Sequence, residues 1–596
     1  MAFDNWKAVA RPLLHGIATL FALRLWLSWT GTTHTVLVSV AAIGTALSLK
    51  YAWAAFRYHM ARKSQIKGQL PPKYPAFIPY LGSLVSLAWD VGSLLSRATC
   101  YRGSLTSTRI SILGSEVFVF QDRDTIIKMM KHPSLASPMS IIIITLSYLF
   151  GMPTKGLKAY RADDSGPLAK PFPGSHVAPQ DRIDYFLHQA FNRAWSGPGL
   201  GPTTRRLRES LRCRVDLLGF SESWREVDDF FSLFGKTVIA SLTHAVFGPS
   251  LLQLHPDLVD DLWAYDEVLP WLARGIPSFI MPGPYRIRDR VRGQLKSWYV
   301  FARQAFRESD IDPDGDGDPV WGSELVRHLQ TVLHDERRTH DDDAMSAHDL
   351  ALLWAANFNA VSGATLAGFH IFQDRVLLQR LRDEIEAHFE PGSDALLDRA
   401  DPKDLLKLPL LSAIYAETLR LHVKVFFMAS SPHDNVSLGK WKLPKGGIAL
   451  VNSSISHTDV SLWNTKNGLH PLDSFWADRF LIDPADPLSG PVKPEARTAA
   501  SRHASVRGDG GVNATERPYF STEGLDGAWI PYGGGPSICP GRFLAKNVMF
   551  FTCALLVSEF DIEPLTERLE LDPWRFGLGV GRPKYPVPVR VRKRRR

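Results

Sequence analysis

Cysteine is scarce in this sequence. Only four occur among 596 residues, at Cys100, Cys213, Cys539 and Cys553, and no two of them form a C-x-x-C pair. A disulfide framework is therefore excluded, and a reducing compartment is indicated. The count leaves room for one specialised thiolate.

Acidic residues are fewer than basic ones, 61 against 69, which gives a net charge of +8. Several positive charges follow the N-terminal apolar region, and others lie in the last residues, 590–596. This clustering favours a membrane surface over a nucleic acid, so no nucleic-acid partner is predicted. For the basic tail, 591–596, the simplest interpretation is a solvated, disordered end.

The N-terminal region lacks the features of a cleaved signal peptide but contains two apolar segments, 13–30 and 36–49. They predict a membrane anchor over residues 1–56, with one or two crossings. A basic and proline-rich hinge follows at 57–82. Positive flanks normally stay in the cytosol, so the catalytic body, 83–590, is expected to face the cytosol.

Hydrophobic periodicity predicts a mainly helical body with a small β portion. A hairpin turned at Leu113-Gly114 is expected near the start, and helical patterns dominate from Asp181 onward. The apolar run 141–150 is assigned to the core rather than to a substrate pocket. The apolar loop 276–284 is either a buried turn or an exposed contact with membrane.

Two polar segments interrupt this body. Asp312, Asp314, Asp316 and Gly317 match the start of an EF-hand loop, but Ser323 stands where a bidentate glutamate is needed, so a solvated acidic linker is predicted instead. Residues 484–528 are rich in Pro, Gly, Ser, Ala and Arg and indicate a flexible surface insertion.

The most informative stretch is WIPYGGGPSICPGRFLAK, residues 529–546, which leads from a glycine- and proline-rich loop into an apolar helix. It places Cys539 beside a helix N-terminus, where the dipole favours a thiolate. A phosphate-binding loop is disfavoured because no Lys-Ser/Thr pair follows the glycines. An ordinary buried thiol is the other alternative.

The spacing aromatic-x-x-Gly-x-x-x-Cys-x-Gly-Arg is met by Tyr532, Gly535, Cys539, Gly541 and Arg542. This pattern resembles the haem-binding loop of the cytochromes P450. The resemblance implies haem b, with Cys539 as the axial iron ligand, and a mainly α haem-thiolate fold with small β-sheets.

A second motif of that family is matched by Glu417 and Arg420, three residues apart on a predicted helix at 408–422. The segment SFWADRF, 474–480, resembles the family's aromatic-x-Pro-Glu-Arg-Phe segment and supplies Arg479. The resemblance implies a buried Glu417–Arg420–Arg479 network with a structural role.

The third match is a long apolar helix predicted over 346–372, with Ser346 as its N-cap. In the resembled family this helix crosses the oxygen-binding face of the haem and usually carries an acid followed by threonine. Here those positions fall at Val361 and Ser362, so the acid is absent. With Asn359 in this helix and no acid–threonine pair, the sequence resembles the branch of the family that includes cholesterol 7α-hydroxylase and prostacyclin synthase. Ser362 and Asn359 are the expected catalytic residues, and a structural helix-to-helix hydrogen bond is the alternative for Asn359.

Two departures leave the partners of the haem propionates open. Ser537 and Ala429 stand where the family often has arginine. The candidate partners are Arg193, Lys424 and His433.

The resemblance implies a monooxygenase that oxidises a lipophilic terpenoid, steroid or polyketide-like molecule in a fungal secondary pathway. Electrons would come from NADPH-cytochrome P450 reductase at the endoplasmic reticulum membrane, and Arg542 or Lys546 would face this acidic partner. An oxygen-independent isomerase or dehydratase is the alternative, because Val361 replaces the acid. A non-catalytic haem-binding scaffold is the third possibility.

Overall fold

The computed structural model describes residues 31–62, 68–78, 81–334, 340–389, 402–497 and 517–595. The first predicted apolar segment, 13–30, and residues 498–516 of the predicted insertion lie outside this part. The chain divides into two units, one formed by Met1–Lys131 and Met428–Val451 and the other by His132–Phe427 and Asn452–Arg596.

The first unit begins with a long apolar helix. This helix, Gly31–Arg62, contains the second predicted apolar segment. Its part Val36–Arg62 is apolar enough to cross a membrane, and only Tyr58 of that part is buried by protein. It is a candidate anchor. Helix continues to Arg62, so the connector to the body starts later than residue 57, where the sequence placed it.

A small sheet completes this unit. Strands Thr108–Ile112 and Ser115–Val119 form the predicted hairpin, and Leu113 and Gly114 turn it with φ of 49° and 82°. The second strand runs parallel to the strand Ile448–Asn452, and Val119 pairs with Leu450. The other helices and strands of the unit are Leu84–Thr99, Arg123–Lys131, Cys100–Tyr101, Ser104–Leu105, Val436–Leu438 and Trp441–Leu443.

The second unit is built around the helix Asp342–Gln373, the central helix. About three quarters of its residues are buried, and it packs against the helices Phe230–Phe247, Pro282–Ala305 and Arg542–Glu559. Gly363 permits the last contact, because a Cβ there would lie 2.9 Å from Met549 Sδ. Close packing of a small residue brings the two backbones together.

The N-cap prediction for the central helix was wrong. The helix starts four residues earlier, and the Asp341 carboxylate accepts the hydrogen bond of the Ala344 amide at 3.1 Å. Ser346 lies inside the first turns and donates to the Asp343 carbonyl. An aspartate is an equally good cap, and the sequence offers several in DDDAMSAHD.

The remaining elements of this unit are mostly helices with short antiparallel strand pairs. Its other helices are Met139–Tyr148, Leu157–Ala162, Ile183–Trp195, Leu200–Asp216, Pro249–Leu254, Leu258–Ala273, Glu324–Leu333, Arg375–His388, Pro402–Leu405, Pro409–His422 and Ser453–Ser456. Its strands are Arg225–Val227, Val423–Ala429, Leu481–Ile482, Tyr519–Phe520, Phe560–Pro564, Leu578–Val580 and Val589–Lys593. Short 3-10 turns include Ala477–Phe480 and Gly535–Ser537.

The acidic segment is not a solvated linker. Asp314 pairs with Arg205 at 2.6 Å, and Asp316, which is buried, pairs with Arg206 at 2.5 Å. Arginines on the helix Leu200–Asp216 therefore neutralise the carboxylates that matched a calcium loop. The sequence could not show this, because the partners lie about a hundred residues away.

The basic end of the chain is not a disordered tail as far as it is described. Residues Val589–Lys593 form a strand between Phe560–Pro564 and Arg225–Val227. Its arginines and the two that follow pair with Glu563, Asp561, Glu386 and Glu222.

The two apolar segments that the sequence left open have different surroundings. In the run 141–150, Leu146 and Phe150 are core residues, whereas Ile144 and Tyr148 are largely exposed. The loop before Pro282 is not a buried turn, since Phe279 is 85% exposed.

Candidate functional site

The loop around Cys539, residues 529–541, is called the cysteine loop here. A hydrogen bond within its own backbone closes it. The Cys539 amide donates to the Tyr532 carbonyl at 3.0 Å, so the residues between them form a tight excursion. Gly533 and Gly535 both have positive φ, 71° and 67°, which favours glycine. At Gly533 an added Cβ would lie 3.1 Å from the ring of Phe427, so the loop lies directly on that side chain.

Cys539 stands three residues before the helix Arg542–Glu559, the cysteine helix, whose N-cap is Gly541. Solvent reaches the thiol even though protein surrounds it on most sides. Burial raises the pKa of the Cys539 thiol, and the Gly541 amide and the Arg542 guanidinium lower it by less. Burial of the thiol therefore outweighs the stabilisation that the helix terminus offers the thiolate.

The surroundings of the sulfur fit a metal-centred ligand. A Cβ on Gly541 would lie 3.8 Å from Cys539 Sγ and 3.5 Å from the Trp195 ring. Glycine at this position therefore leaves the space between the sulfur and the ring free of a side chain. Ser196 donates to the Pro540 carbonyl at 3.1 Å and holds the loop to the helix Ile183–Trp195. One reachable thiol in a glycine-lined cradle is the donor set that haem iron with a thiolate ligand requires.

Two aromatic residues attach the same loop to the helix Pro409–His422. The Tyr415 hydroxyl donates to that of Tyr532 at 2.9 Å, and Trp529 Nε1 donates to the Ala416 carbonyl at 3.3 Å. Burial raises the pKa of Tyr532, so its hydroxyl stays neutral. The aromatic position of the motif therefore positions the loop.

Glu417, Arg420 and Arg479 lie together in one buried network. Arg420 donates to both carboxylate oxygens of Glu417 at 2.7 and 2.8 Å, and Arg479 Nε donates to Glu417 Oε1 at 3.1 Å. Each of the three side chains is at most 1% exposed. The Arg420 guanidinium also donates to the carbonyls of His457 and Leu472, so its hydrogen-bonding capacity is used.

His457 connects this network to the cysteine loop, and sequence reasoning missed it. Its Nδ1 donates to the Arg420 carbonyl at 3.0 Å, and its Nε2 accepts from the Ile530 amide at 3.0 Å. These two contacts require the neutral ring with a proton on Nδ1. Burial, and secondarily the charge of Arg420, lowers the pKa of His457 to about 3. Only the fold brings the three segments together, so no local pattern marks this residue.

One face of the central helix is open in its middle. Ala355 is exposed, Asn359 is half-buried and Ser362 is 6% exposed, and the spacings of four and three residues place them on one side. The structure therefore brings Asn359 and Ser362 to the same face. Among the described residues, no hydrogen-bond partner of the Ser362 hydroxyl is found.

Asn359 makes a structural hydrogen bond, although to a strand rather than to a helix. Its Oδ1 accepts from the Val580 amide at 3.0 Å and so holds the strand Leu578–Val580 to the central helix. Val361 has no polar atom to replace the missing acid.

The expected propionate partners have different surroundings. Arg193 is exposed and engages Glu324 at 2.9 Å, so it is already paired. His433 belongs to the first unit. Lys424 is half-buried in the strand Val423–Ala429. Ser537, at the position often held by arginine, accepts from the Ser137 amide at 2.8 Å.

The two basic residues expected to face a redox partner also differ. Arg542 is half-buried, and its Nη1 donates to the Cys539 carbonyl at 3.0 Å. Lys546 lies over the rings of Tyr415 and Phe550, and burial lowers its pKa. Both side chains are partly exposed, and they differ in the groups that they contact.

Comparison with known proteins adds independent evidence. The family model of cytochrome P450 matches residues 513–589, which include the cysteine loop and the cysteine helix. The chain is 30% identical over 570 residues to cytochrome P450 monooxygenase efuG of Hormonema carpetanum, across 94% of this chain and 96% of that protein. It is 28% identical over 602 residues to cytochrome P450 monooxygenase fsoE of Humicola fuscoatra, across 98% and 95%. Cholesterol 7-alpha-monooxygenase of Cricetulus griseus is 24% identical over 327 residues, across 53% and 55%.

Proposed function

The chain belongs to the cytochrome P450 family and is an oxidoreductase of the monooxygenase type, and we propose that it inserts one oxygen atom of O2 into a lipophilic terpenoid, steroid or polyketide-like molecule. The observation that carries this proposal is the reachable Cys539 thiol in its glycine-lined loop at the start of the cysteine helix. Haem b, bound through Cys539, supplies the oxygen-activating chemistry, which a thiolate ligand promotes.

The side chains around the site serve distinct tasks in this proposal. The Glu417–Arg420–Arg479 network and His457 hold the cysteine loop in one geometry. The Ser362 hydroxyl, which has no partner among the described residues, would order water on the open face of the central helix and pass protons along it. Asn359 keeps the strand Leu578–Val580 beside that face.

Electrons come from NADPH through a flavoprotein reductase. Arg542 supports this part of the proposal, because it is a partly exposed cation whose guanidinium contacts the Cys539 carbonyl. Helix Val36–Arg62 and the exposed apolar loop with Phe279 and Ile280 suit a protein at the endoplasmic reticulum membrane.

Two features support a lipophilic, ring-containing substrate. The open stretch of the central helix carries small or modest side chains, Ala355, Asn359 and Ser362, and leaves room for a bulky molecule. One similar protein is by name a cholesterol 7-alpha-monooxygenase.

The reduced carbon-monoxide difference spectrum of microsomes that contain the protein tests the ligand. We expect the red-shifted Soret band of a thiolate complex, and its loss in Cys539→Ala. Cys213→Ala, which removes an exposed thiol from another helix, is the matched control and keeps the band. A thiolate band in Cys539→Ala disproves the ligand assignment.

A second function, rearrangement of a hydroperoxide without O2 or reductase, is favoured by one observation. Val361 offers no acid, and the oxygen of Asn359 is bound to Val580, so proton delivery depends on Ser362 alone. Turnover of a lipophilic hydroperoxide in the absence of NADPH and reductase, with no product from a hydrocarbon substrate in their presence, would establish it over the monooxygenase.

A further inference from the structure

Lys424 is a half-buried lysine that has no counter-ion among the described residues. It lies in the strand Val423–Ala429 and is half-buried. No carboxylate of the described residues lies within ion-pair distance of its ammonium group, in contrast to most buried basic side chains of this protein. Burial also lowers its pKa. A half-buried cation with no carboxylate partner among the described residues can accept an anionic ligand.

The register of the strand shows which way Lys424 faces. Lys424 pairs directly with Gly579 in the antiparallel strand Leu578–Val580. A Cβ on Gly579 would lie 1.9 Å from Asn359 Oδ1, so that face of the pair is turned to the central helix. Directly opposed residues project to the same side of a sheet. Lys424 therefore projects toward the open helix face that carries Asn359.

Lys424 is also distant from the cysteine loop along its strand. Phe427, three residues further on, is the residue that contacts Gly533 of that loop. Three residues of extended chain span about 10 Å. The lysine is thus at the central-helix end of the strand, and the opposite end meets the loop that carries the thiol.

A second cluster nearby in the chain adds positive charge. Arg575 and Arg582, both 8% exposed, share the single carboxylate of Asp266, with Arg575 Nη2 donating to Asp266 Oδ1 at 2.7 Å. Neither arginine has another carboxylate at ion-pair distance in the described part of the chain. One positive charge therefore remains uncompensated on the segment that contains Gly579.

We propose that Lys424 binds a carboxylate of the substrate, so that the natural substrate is a lipophilic polycyclic acid rather than a neutral lipid. This inference rests on the proposed function, because it assigns the substrate class of the same site. An ammonium group in a site shielded from water forms a strong charge-assisted hydrogen bond to a carboxylate. The acid group is held at the strand, and the ring system extends along the open face of the central helix.

The test measures binding alone and needs no reductase. Full-length, haem-loaded protein in detergent is titrated with cholanic acid and with its methyl ester, by the Soret shift and by calorimetry. We expect the acid to bind at least about tenfold more tightly than the ester. Lys424→Met removes this preference, and Lys424→Arg keeps most of it.

The matched control is Lys442→Met, which removes an exposed lysine from another short strand and leaves the preference unchanged. Equal binding of acid and ester to the parent protein overturns the proposal. So does a Lys424→Met variant that keeps the preference but loses haem, since the lysine then binds a haem propionate. Failure of the monooxygenase assignment is seen separately, as absence of product with NADPH and reductase.

Discussion

At the scale of single residues, Gly579 and Asn359 determine how the C-terminal strand meets the central helix. Gly579 has φ of 132°, a conformation that side-chain-bearing residues rarely adopt. Because Gly579 has no side chain, there is room for Asn359 Oδ1, which accepts a hydrogen bond from the Val580 amide. Both the backbone conformation at residue 579 and the closeness of Asn359 therefore require glycine.

Gly579→Ala is expected to destabilise the protein by about 1–3 kcal/mol from backbone strain, with a further cost from the clash. The midpoint of thermal unfolding and the affinity for a lipophilic ligand should both fall. Adding Asn359→Ala recovers the part due to the clash and not the strain, which a double-mutant cycle resolves. Gly468→Ala is the control, since Gly468 also has positive φ but no atom within 4 Å of an added Cβ. If Gly579→Ala and Gly468→Ala lowered the midpoint of thermal unfolding equally, the role of Asn359 would be contradicted.

Ser362→Ala is expected to uncouple NADPH consumption from product formation. The hydroxyl has no partner in the described part of the chain, so its removal leaves the fold intact while water on the open helix face loses a donor. Coupling should fall several-fold, measured as product per NADPH with peroxide as the by-product. Thr365→Val is the control, because the Thr365 hydroxyl is already bonded to the Val361 carbonyl at 2.9 Å. Unchanged coupling in Ser362→Ala would assign the hydroxyl to packing.

At the scale of elements, the helix Pro409–His422 is connected by buried charges to the turn Ala477–Phe480. Glu417 is the only carboxylate that the described residues offer to Arg420 and Arg479 at ion-pair distance. Its charge therefore balances part of two enclosed guanidinium groups.

Glu417→Gln should cost about 3–5 kcal/mol, because it leaves two buried arginines without a counter-charge. We expect a strong fall in the yield of haem-loaded protein, measured as the carbon-monoxide signal per milligram. Glu386→Gln breaks the exposed pair with Arg594 and should change stability by no more than about 1 kcal/mol. Comparable yields of the two variants would show that the buried network is dispensable.

His457, which joins the cysteine loop to the helix Pro409–His422, should make the free energy of unfolding sensitive to acid. The folded chain keeps His457 neutral down to about pH 3, whereas the unfolded imidazole titrates near 6.5. Below pH 6.5 the unfolded state therefore binds a proton that the folded state does not. The free energy of unfolding falls by about 1.4 kcal/mol per pH unit for this group, from pH 6.5 toward 3.

Urea unfolding at pH 7.5, 6.5 and 5.5 measures this slope. His457→Gln, which keeps an acceptor for the Ile530 amide, should lose that part of the slope below pH 6.5. His176→Gln, at an exposed position, should keep it. Identical slopes in all three proteins would show that His457 does not titrate on unfolding.

At the scale of the whole molecule, the described structure combines a long exposed apolar helix with a helical catalytic unit. Within the described ranges, three helices are long and apolar enough to span a bilayer, but most of Phe230–Phe247 and Asp342–Gln373 is buried by protein. Only Val36–Arg62 presents its surface outward. This helix is therefore the candidate anchor among the described residues.

Deletion of residues 1–62 should release the protein from microsomes on alkaline carbonate extraction, whereas the full chain stays in the pellet. The deleted form should still bind lipid vesicles weakly, through the exposed side chains of Phe279 and Ile280. Phe279→Ser with Ile280→Ser should reduce that binding, and Leu469→Ser, at an exposed apolar site elsewhere, should not. Full retention after deletion would assign anchoring to another segment.

The sequence by itself determined the features that depend on local spacing. Glycine at 533 and 535, cysteine at 539 and the apolar helix behind it follow from residue order, because backbone freedom and helical period are local properties. The same holds for the hairpin at Leu113-Gly114 and for Glu417 and Arg420 on one helix face.

Only the tertiary structure decided which distant groups meet. It paired Asp314 and Asp316 with arginines instead of leaving them to solvent, placed His457 between Arg420 and the cysteine loop, and bound Asn359 to a strand. It also drew the basic end of the chain into a sheet and, within the part of the chain that is described, left Lys424 without a counter-ion. These outcomes depend on contacts between segments far apart in the chain, whose energies no local pattern encodes.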